Sequence, residues 1–421
     1  MSEHLEFYQK QAQSEVSTLP WLAELQRNAQ SDFEALGFPT RYNEEWKYTS
    51  VDSFLKQAFN PAKQQTKQAP IDSDVPHGVK IDVLNGEVVG LEAAAKALPK
   101  GVLVLSLQDA IVQHADKVEP HLGRILKHDN GFQALNTAML QSGLFIYIPS
   151  NVQFDSPLLI NHWQDKSEQA VYLRHLIVAE EGSRGSIIED YRGEEGCCYF
   201  TSSITEVFTA ANAHVEHYKI QRESKSAFHV GHLVAKQMKH SQVDSHSFSI
   251  GGRLVRSDIT VDFCEPHARC SMNGIYAPGD KQHVDHHTLV NHNVPDCESD
   301  EDYKGILSGH ARAVFNGKVI VAKDAQHTKA LQQNKNILLS ANAEIDTKPQ
   351  LEIFADDVVC THGATVGQLD EEALFYLATR GIERQEASRY LIHAFAAENL
   401  QRVANSKLAD WMRKRLTQHL G

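Results

Sequence analysis

The spacing of apolar residues changes twice along this chain, and each change marks a boundary between regions. Up to residue 142, runs with helical spacing, such as the one that begins at Trp21, mix with short strand-like runs. From residue 143 to 368 the apolar positions form short alternating segments separated by turn residues. From residue 369 onward the apolar residues return to helical spacing. The pattern predicts an N-terminal helical or α/β region (1–142), a β-rich core (143–368) and a C-terminal helical domain (369–421).

Several local signals refine this outline. Gly37, followed by Pro39, predicts the end of the helix that contains Trp21. The polar stretch 63–76 predicts a loop. Asp370 is a predicted N-cap for the helix EEALFYLATR, which we expect to stop at Gly381. The next segment has an apolar stripe at helical spacing, and these residues predict its buried face: Ala387, Tyr390, Leu391, Ala394 and Phe395.

A loose internal repeat runs through the β-rich core. Pairs of small or turn-forming residues recur, each predicted to precede an alternating strand. They are Gly182-Ser183, Asn212-Ala213, Ser241-Gln242, His267-Ala268, His310-Ala311, Asn342-Ala343 and Gly363-Ala364. A β-solenoid gives such a repeat, because one coil cannot bury its apolar face and must stack on the next. A β-sandwich or jelly roll also has many short strands with turns between them. Periodicity alone leaves both architectures open.

Composition excludes several classes of function. The chain has 421 residues and a formal net charge of -13, so nucleic acids and anionic membranes are not expected partners. It shows neither a secretory signal pattern nor an apolar run long enough to span a membrane, and we expect a cytoplasmic protein. Gly317-Lys318 lacks the remaining residues of a phosphate-binding loop, so ATP hydrolysis would have to come from a partner.

Cysteine and histidine usage draws attention to possible metal ligands. The six cysteines form no CxxC pair, which argues against a structural zinc site or a disulfide framework. There are 23 histidines against 17 phenylalanines, so some histidines are expected to do more than pack. Cys360 and His362 lie two positions apart in a strand-like run and could share one face. Thiolate and imidazole suit iron, zinc or an iron-sulfur unit, although a half-buried cysteine beside a surface histidine explains the same spacing.

A second candidate is the segment KQHVDHHTLVNH. If it is a strand, His283, Asp285 and His287 share a face and resemble the metal-binding set of a cupin. The alternative is a ladder of hydrogen-bonded polar side chains without a metal. We favour this alternative, because no other histidine or carboxylate is spaced to complete a cupin motif.

Longer motifs give a family resemblance. The runs ADDVVCTHGATVGQLDEEALFYLATRGI (355–382), YKGILSGHARAVFNGKVIV (303–321) and AQHTKALQQNKNILLSANAEIDTKPQLEIF (325–354) resemble the SufB/SufD family of iron-sulfur cluster assembly proteins. KQHVDHHTLVNHNVPDCESDEDYKG (281–305) extends the match, and PTRYNEEWKYTS (39–50) resembles the family's N-terminal signature. SufB usually has glutamate after the motif histidine and a cysteine soon after the LFY triplet. Gly363 and Leu377 stand there in this chain, so the resemblance is greatest to SufD.

This resemblance implies a fold, partners and site residues. The implied fold is mainly β, with a right-handed parallel β-helix core. The implied function is that of a scaffold rather than an enzyme. This scaffold assists assembly of a transient iron-sulfur cluster at the interface with a SufB-like paralogue. His362 carries over as the interface histidine and Cys360 as the motif cysteine, both as candidate cluster or iron ligands. The C-terminal helices correspond to the docking unit for SufC, an ABC-type ATPase.

Two other interpretations of the function remain, and the oligomeric state of the isolated chain is open. One is a metal-dependent cupin-like enzyme that uses the histidines between His283 and His292. The other is a purely structural partner of SufB. No cofactor is expected to stay bound to the isolated chain, which could form a homodimer when the paralogue is absent.

Overall fold

A computed structural model describes residues 3–13, 16–62 and 72–420 of the chain. Most of the predicted loop at 63–76 therefore lies outside the described residues. The helices are α1 Glu3–Ala12, α2 Pro20–Leu36, α3 Leu91–Ala97, α4 Leu107–Gln113, α5 Ala115–Val118, α6 Gly131–Met139, α7 Glu371–Thr379, α8 Arg384–Leu400 and α9 Ser406–Leu420, with a short 3-10 helix at Glu44–Trp46.

Strands dominate the middle of the chain. They are β1 Asn60–Pro61, β2 Val79–Leu84, β3 Glu87–Val89, β4 Leu103–Ser106, β5 Leu144–Ile148, β6 Gln153–Gln164, β7 Gln169–Ala179, β8 Arg184–Gly193, β9 Phe200–Thr209, β10 His214–Gln221, β11 Phe228–Gln237, β12 Gln242–Ser249, β13 Leu254–Phe263, β14 Arg269–Tyr276, β15 His283–His292, β16 Glu298–Leu307, β17 Arg312–Val321, β18 Thr328–Leu338, β19 Glu344–Ile353 and β20 Val358–Gly367.

From β5 onward the strands alternate between two parallel sheets. Sheet A runs in the order β19-β17-β15-β13-β11-β9-β7-β5-β4, and sheet B in the order β20-β18-β16-β14-β12-β10-β8-β6-β2-β3. Each strand pairs with strands one coil away: His214 of β10 lies beside Arg184 of β8 and Gln242 of β12. This topology is a parallel β-solenoid of about eight turns. The solenoid prediction is confirmed, and the sandwich alternative is wrong.

Turns at the coil corners explain the sequence repeat. The residue at the tight turn before several strands has a positive φ: 67° at Gly182, 59° at Asn212 and 65° at His267. Glycine and asparagine enter this left-handed region at low cost, which is why such residues recur before strands. The prediction for Gly363-Ala364 is wrong, because both residues lie within β20 rather than before it.

The N-terminal region extends the solenoid and covers part of it. Strands β2 and β3 continue sheet B, while β4 pairs with β5 at the start of sheet A. Helices α1, α2 and α6 lie over the outer face of sheet A, where aromatic side chains cluster. Phe54 is central to this cluster, with ring centroids 4.8 Å from Phe200 of β9 and 5.2 Å from Phe132 of α6. Apolar burial therefore fixes the N-terminal helices on the core.

The C-terminal helices cover the outer face of sheet B. Ile392 and Leu400 of α8 and Met412 of α9 are buried against outward-facing residues of sheet B such as Ile220 and Phe248. The predicted N-cap is confirmed, since the Asp370 side chain accepts hydrogen bonds from two backbone N–H groups of α7.

The predicted apolar stripe of α8 is largely wrong. Only Ala387 of the predicted set is fully buried, whereas Tyr390 is 50% exposed. The buried face is instead formed by Ala387, Ile392, Ala396, Asn399 and Leu400. Within residues 3–13, 16–62 and 72–420, no helix is long and apolar enough to cross a membrane.

Candidate functional site

Cys360 and His362 lie on β20, the last strand of sheet B. Parallel pairing places Cys360 beside Ala330 and His362 beside Gln332 of β18, and both β18 residues are buried. The cysteine and the histidine therefore share one strand face, and that face is directed toward the solenoid interior. Val359 points the other way and is 61% exposed.

The two side chains differ in accessibility. Cys360 is half-buried and packs against the apolar cluster inside the solenoid. Burial raises the pKa of its thiol, and a backbone hydrogen bond at Ala330 opposes this shift only in part. The cysteine is therefore a protonated thiol at neutral pH, and a poor ligand until it loses its proton. His362 is exposed because no further coil of the described chain covers its face.

We call this end of the molecule the open end, defined by β19 and β20. Among the described residues, β19 pairs only with β17 and β20 only with β18, so each strand has one edge without a partner. Apolar side chains are exposed here, including Phe354 and Val366. An imidazole, a half-buried thiol and two free strand edges thus lie together at one end of the solenoid.

The second predicted set lies on the outer face of sheet A. His283, Asp285 and His287 do share a face of β15, as their spacing indicates. Asp285 is fully buried and accepts hydrogen bonds from Arg256 (2.7 Å) and Thr49 (2.5 Å).

These residues form an ion-pair network that holds the N-terminal region to the solenoid. His287 lies between Asp285 (3.0 Å) and Glu45 (3.3 Å). Burial acts to raise the pKa of Asp285, but Arg256 and His287 outweigh burial and hold it far below its usual range. The cupin interpretation is also inconsistent with the fold, because the core is a parallel β-solenoid rather than a cupin barrel.

A cavity of about 360 Å³ lies beside this network, between the N-terminal region and sheet A. Its polar walls are mostly paired with one another. Arg256 donates to Asp258 at 2.6 Å, and the His232 ring contacts Gln133 (3.0 Å) and Thr260 (2.9 Å). The cavity therefore presents few polar groups that lack a protein partner.

A further cluster inside the solenoid was not predicted from the sequence. His162, His175 and Glu189 are buried, and each offers a ligand atom within 4.8 Å of the others. Nδ1 of His175 accepts a hydrogen bond from the Leu144 backbone N–H (3.1 Å), so the neutral ring carries its proton on Nε2. A metal ion needs a lone pair at that nitrogen. The spacing is that of a metal site, but the proton placement does not fit one.

The C-terminal hairpin of α7 and α8 exposes aromatic side chains. Phe375 is 72% exposed and Tyr376 55% exposed on α7, and Tyr390 adds a third ring from α8. Arg384 and Glu371 form a two-point ion pair between the helices, with contacts of 2.6 and 2.9 Å. Exposed aromatic rings of this kind are enriched at protein interfaces.

Comparison with known proteins assigns the chain to a family. Residues 162–395 match the model described as SUF system FeS cluster assembly, SufBD core domain, and residues 1–160 match the SufBD protein N-terminal region. The chain is 31% identical to the iron-sulfur cluster assembly protein SufD of Escherichia coli, over 91% of this chain and 90% of that protein.

Two less similar relatives also match over most of the chain. A SufBD family iron-sulfur cluster assembly protein of Synechocystis is 29% identical, over 90% of this chain and 87% of that protein. The chloroplastic protein ABCI7 of Arabidopsis thaliana is 27% identical, over 94% and 86%. The sequence motifs, the solenoid and these matches agree: the chain belongs to the SufB/SufD family of iron-sulfur cluster assembly proteins and is most similar to SufD.

Proposed function

We propose that this chain is a SufD-like scaffold subunit that helps to assemble nascent iron-sulfur clusters at an interface with a SufB-like paralogue. The observation that carries the proposal is the exposure of His362 at the open end, on the interior face of the last strand. A ligand in this position is accessible in the isolated chain and becomes enclosed when another solenoid docks there.

The open end is suited to such docking. Within the part of the chain that the structure describes, the free edges of β19 and β20 carry unpaired backbone N–H and C=O groups, with which a strand from another chain can pair. The exposed Phe354 and Val366 add apolar area to the same surface. In the absence of the paralogue, the same edges are available to a second copy of this chain, which gives a homodimer.

His362 is the primary ligand in this proposal, and Cys360 is secondary. A neutral imidazole binds iron or transfers a proton near neutral pH. Cys360 first has to lose its proton in a half-buried setting that raises its pKa. The cluster is cargo that passes on rather than a resident cofactor, and the chain itself contributes no catalysis. We place this activity in the cytoplasm.

The test is co-expression with SufB-like and SufC-like partners, followed by iron and acid-labile sulfide analysis of the purified complex. His362→Ala should lower both several-fold without loss of complex, because an exposed strand residue contributes little to folding. Cys360→Ser should lower the iron and sulfide content less than His362→Ala does. His310→Ala replaces an exposed histidine in the turn before β17, outside the two strands of the open end, and serves as the matched control. Wild-type iron and sulfide in the His362→Ala complex would favour the purely structural partner.

The α7–α8 hairpin is the proposed docking surface for a SufC-like ABC ATPase. Deleting residues 371–421 should abolish this binding, but α8 and α9 also cover sheet B, so the truncation exposes core residues such as Phe248. Phe375→Ala is the cleaner variant, since its side chain is 72% exposed. We expect loss of ATPase co-purification at an unchanged melting temperature. Tyr42→Ala, at an exposed ring of the N-terminal region, should retain binding.

A further inference from the structure

Gln332 lies directly behind His362 in the solenoid. It occupies the interior face of β18, is 1% exposed, and is the register partner of His362 on β20. Residues paired in neighbouring strands of a sheet are roughly 4.8 Å apart, so the two side chains are neighbours on one face.

Hydrogen bonds fix the direction of the Gln332 amide. Its Nε2 donates to Oε2 of Glu301 at 3.2 Å, and the Thr288 hydroxyl donates to the same oxygen at 2.7 Å. Glu301 belongs to β16, one coil further from the open end. The donor side of the amide is therefore turned back toward that coil.

The acceptor side of the amide is left without a partner. Oε1 of Gln332 is buried and accepts no hydrogen bond from any residue that the structure describes. An unpaired buried acceptor is destabilising, so we expect a donor to reach this position when the complex forms. The following coil presents His362 at the same register.

A glycine on the opposite sheet makes room for this arrangement. A Cβ atom on Gly317 of β17 would lie 2.3 Å from Nε2 of Gln332, closer than any real contact. Because Gly317 has no side chain, the amide occupies this space and reaches Glu301. Glu301, Thr288 and Gly317 together hold Gln332 in one orientation.

We propose that Gln332 is a positioning residue for His362. In the assembled complex the His362 ring N–H donates to Oε1 of Gln332, a hydrogen bond that the isolated chain does not make, while the other ring nitrogen faces the ligand. A histidine that binds a metal almost always donates its second N–H to such an acceptor, which fixes the tautomer and the ring direction. The hydrogen bonds then run from His362 to Gln332 and from Gln332 to Glu301. This inference rests on the proposed role of His362.

The test compares Gln332→Leu with Gln333→Leu in the co-expressed complex. Gln333 is the next residue of β18, is exposed, and faces outward, so the same substitution there leaves the acceptor in place. Gln332→Leu should lower iron and sulfide about tenfold, within the range seen when such acceptors are removed. Gln333→Leu should match the wild type. Complex yield and melting temperature are measured for both.

A spectroscopic readout separates positioning from a general structural effect. With ¹⁵N-labelled histidine, the His362 signals are assigned by their loss in His362→Ala. The wild-type complex should show one dominant tautomer, and Gln332→Leu a mixture of both. If Gln332→Leu does not fold, Gln332→Ser keeps a polar hydroxyl at this position but is too short to reach His362, and the same losses are expected.

The outcomes distinguish this inference from the proposed function. The positioning role would be overturned if Gln332→Leu kept wild-type cluster content and an unchanged His362 tautomer. The same holds for Gln332→Ser where that variant replaces it. This conclusion would stand even when His362→Ala loses its cluster. A normal cluster in His362→Ala would overturn the proposed function itself.

Discussion

Glu301 is a buried carboxyl whose replacement by glutamine measures what ionisation costs inside the solenoid. The side chain is 1% exposed, and burial raises its pKa from 4.5 to about 7, while hydrogen bonds from Thr288 and Gln332 oppose the shift only in part. The nearby Cys270 thiol and Tyr303 hydroxyl stay neutral at moderate pH, because burial raises the pKa of both. His286 faces the same interior, and burial lowers its pKa to about 3, so it also stays neutral.

The sign of the effect follows from proton binding. The folded-state pKa lies above the unfolded value, so between pH 4.5 and 7 the native state binds more protons than the unfolded state. Stability should therefore fall as pH rises through this window. With 1.36 kcal/mol for each pKa unit, the loss due to Glu301 between pH 5 and pH 8.5 is about 2.5 kcal/mol. Glutamine has no charge to bury and should not show this loss.

Equilibrium urea unfolding at pH 5 and pH 8.5 gives the comparison. The pH-independent cost of placing an amide N–H₂ at this site cancels when each variant is compared with itself at the two pH values. Glu298→Gln, on the same strand at a partly exposed position, is the matched control and should follow the wild type. Equal losses of the free energy of unfolding in wild type and Glu301→Gln between the two pH values would contradict the raised pKa of Glu301.

Three further predictions concern a buried ion pair, a core contact and a helix N-cap. Arg256→Ala leaves Asp285 buried without its guanidinium and should cost about 3–5 kcal/mol in urea unfolding. Lys348→Ala, in a partly exposed pair with Glu44, should cost far less, because solvent screens that pair. Equal losses would show that burial does not control these pairs. Met412→Ala should cost about 2–5 kcal/mol, because its side chain is fully buried between α9 and sheet B, and a loss below 1 kcal/mol would mean that this contact is not tightly packed. Asp370→Ala removes the N-cap of α7 and should cost that helix about 1 kcal/mol, seen as faster hydrogen exchange of its first turn; unchanged exchange would contradict this role.

Features with a local cause could be predicted from the sequence. The end of α2 at Gly37 and the N-cap at Asp370 follow from backbone preferences and short-range hydrogen bonds. The shared strand face of Cys360 and His362 follows from the two-residue period of a strand. The repeated turns follow from left-handed residues such as Asn212.

Other features depend on contacts between distant parts of the chain. The apolar residues of α8 are spread around the helix rather than confined to one face, so its sequence does not define a single buried face. Packing on sheet B selected the face with Ile392 and Leu400. The clustering of His162, His175 and Glu189 likewise results from the stacking of separate coils.

The sequence by itself determined the strand period, the repeat, the helix caps and the motifs that place the chain in its family. Only the tertiary structure decided that Cys360 and His362 face the interior and that the histidine is nevertheless exposed. The register of β20 against β18 sets the face, and the end of the coil stack sets the exposure. The inward face and the exposure of His362 both depend on pairing between successive coils. The side chains of β20 alternate in the same way whichever face points inward, so only burial against β18 selects the inward face.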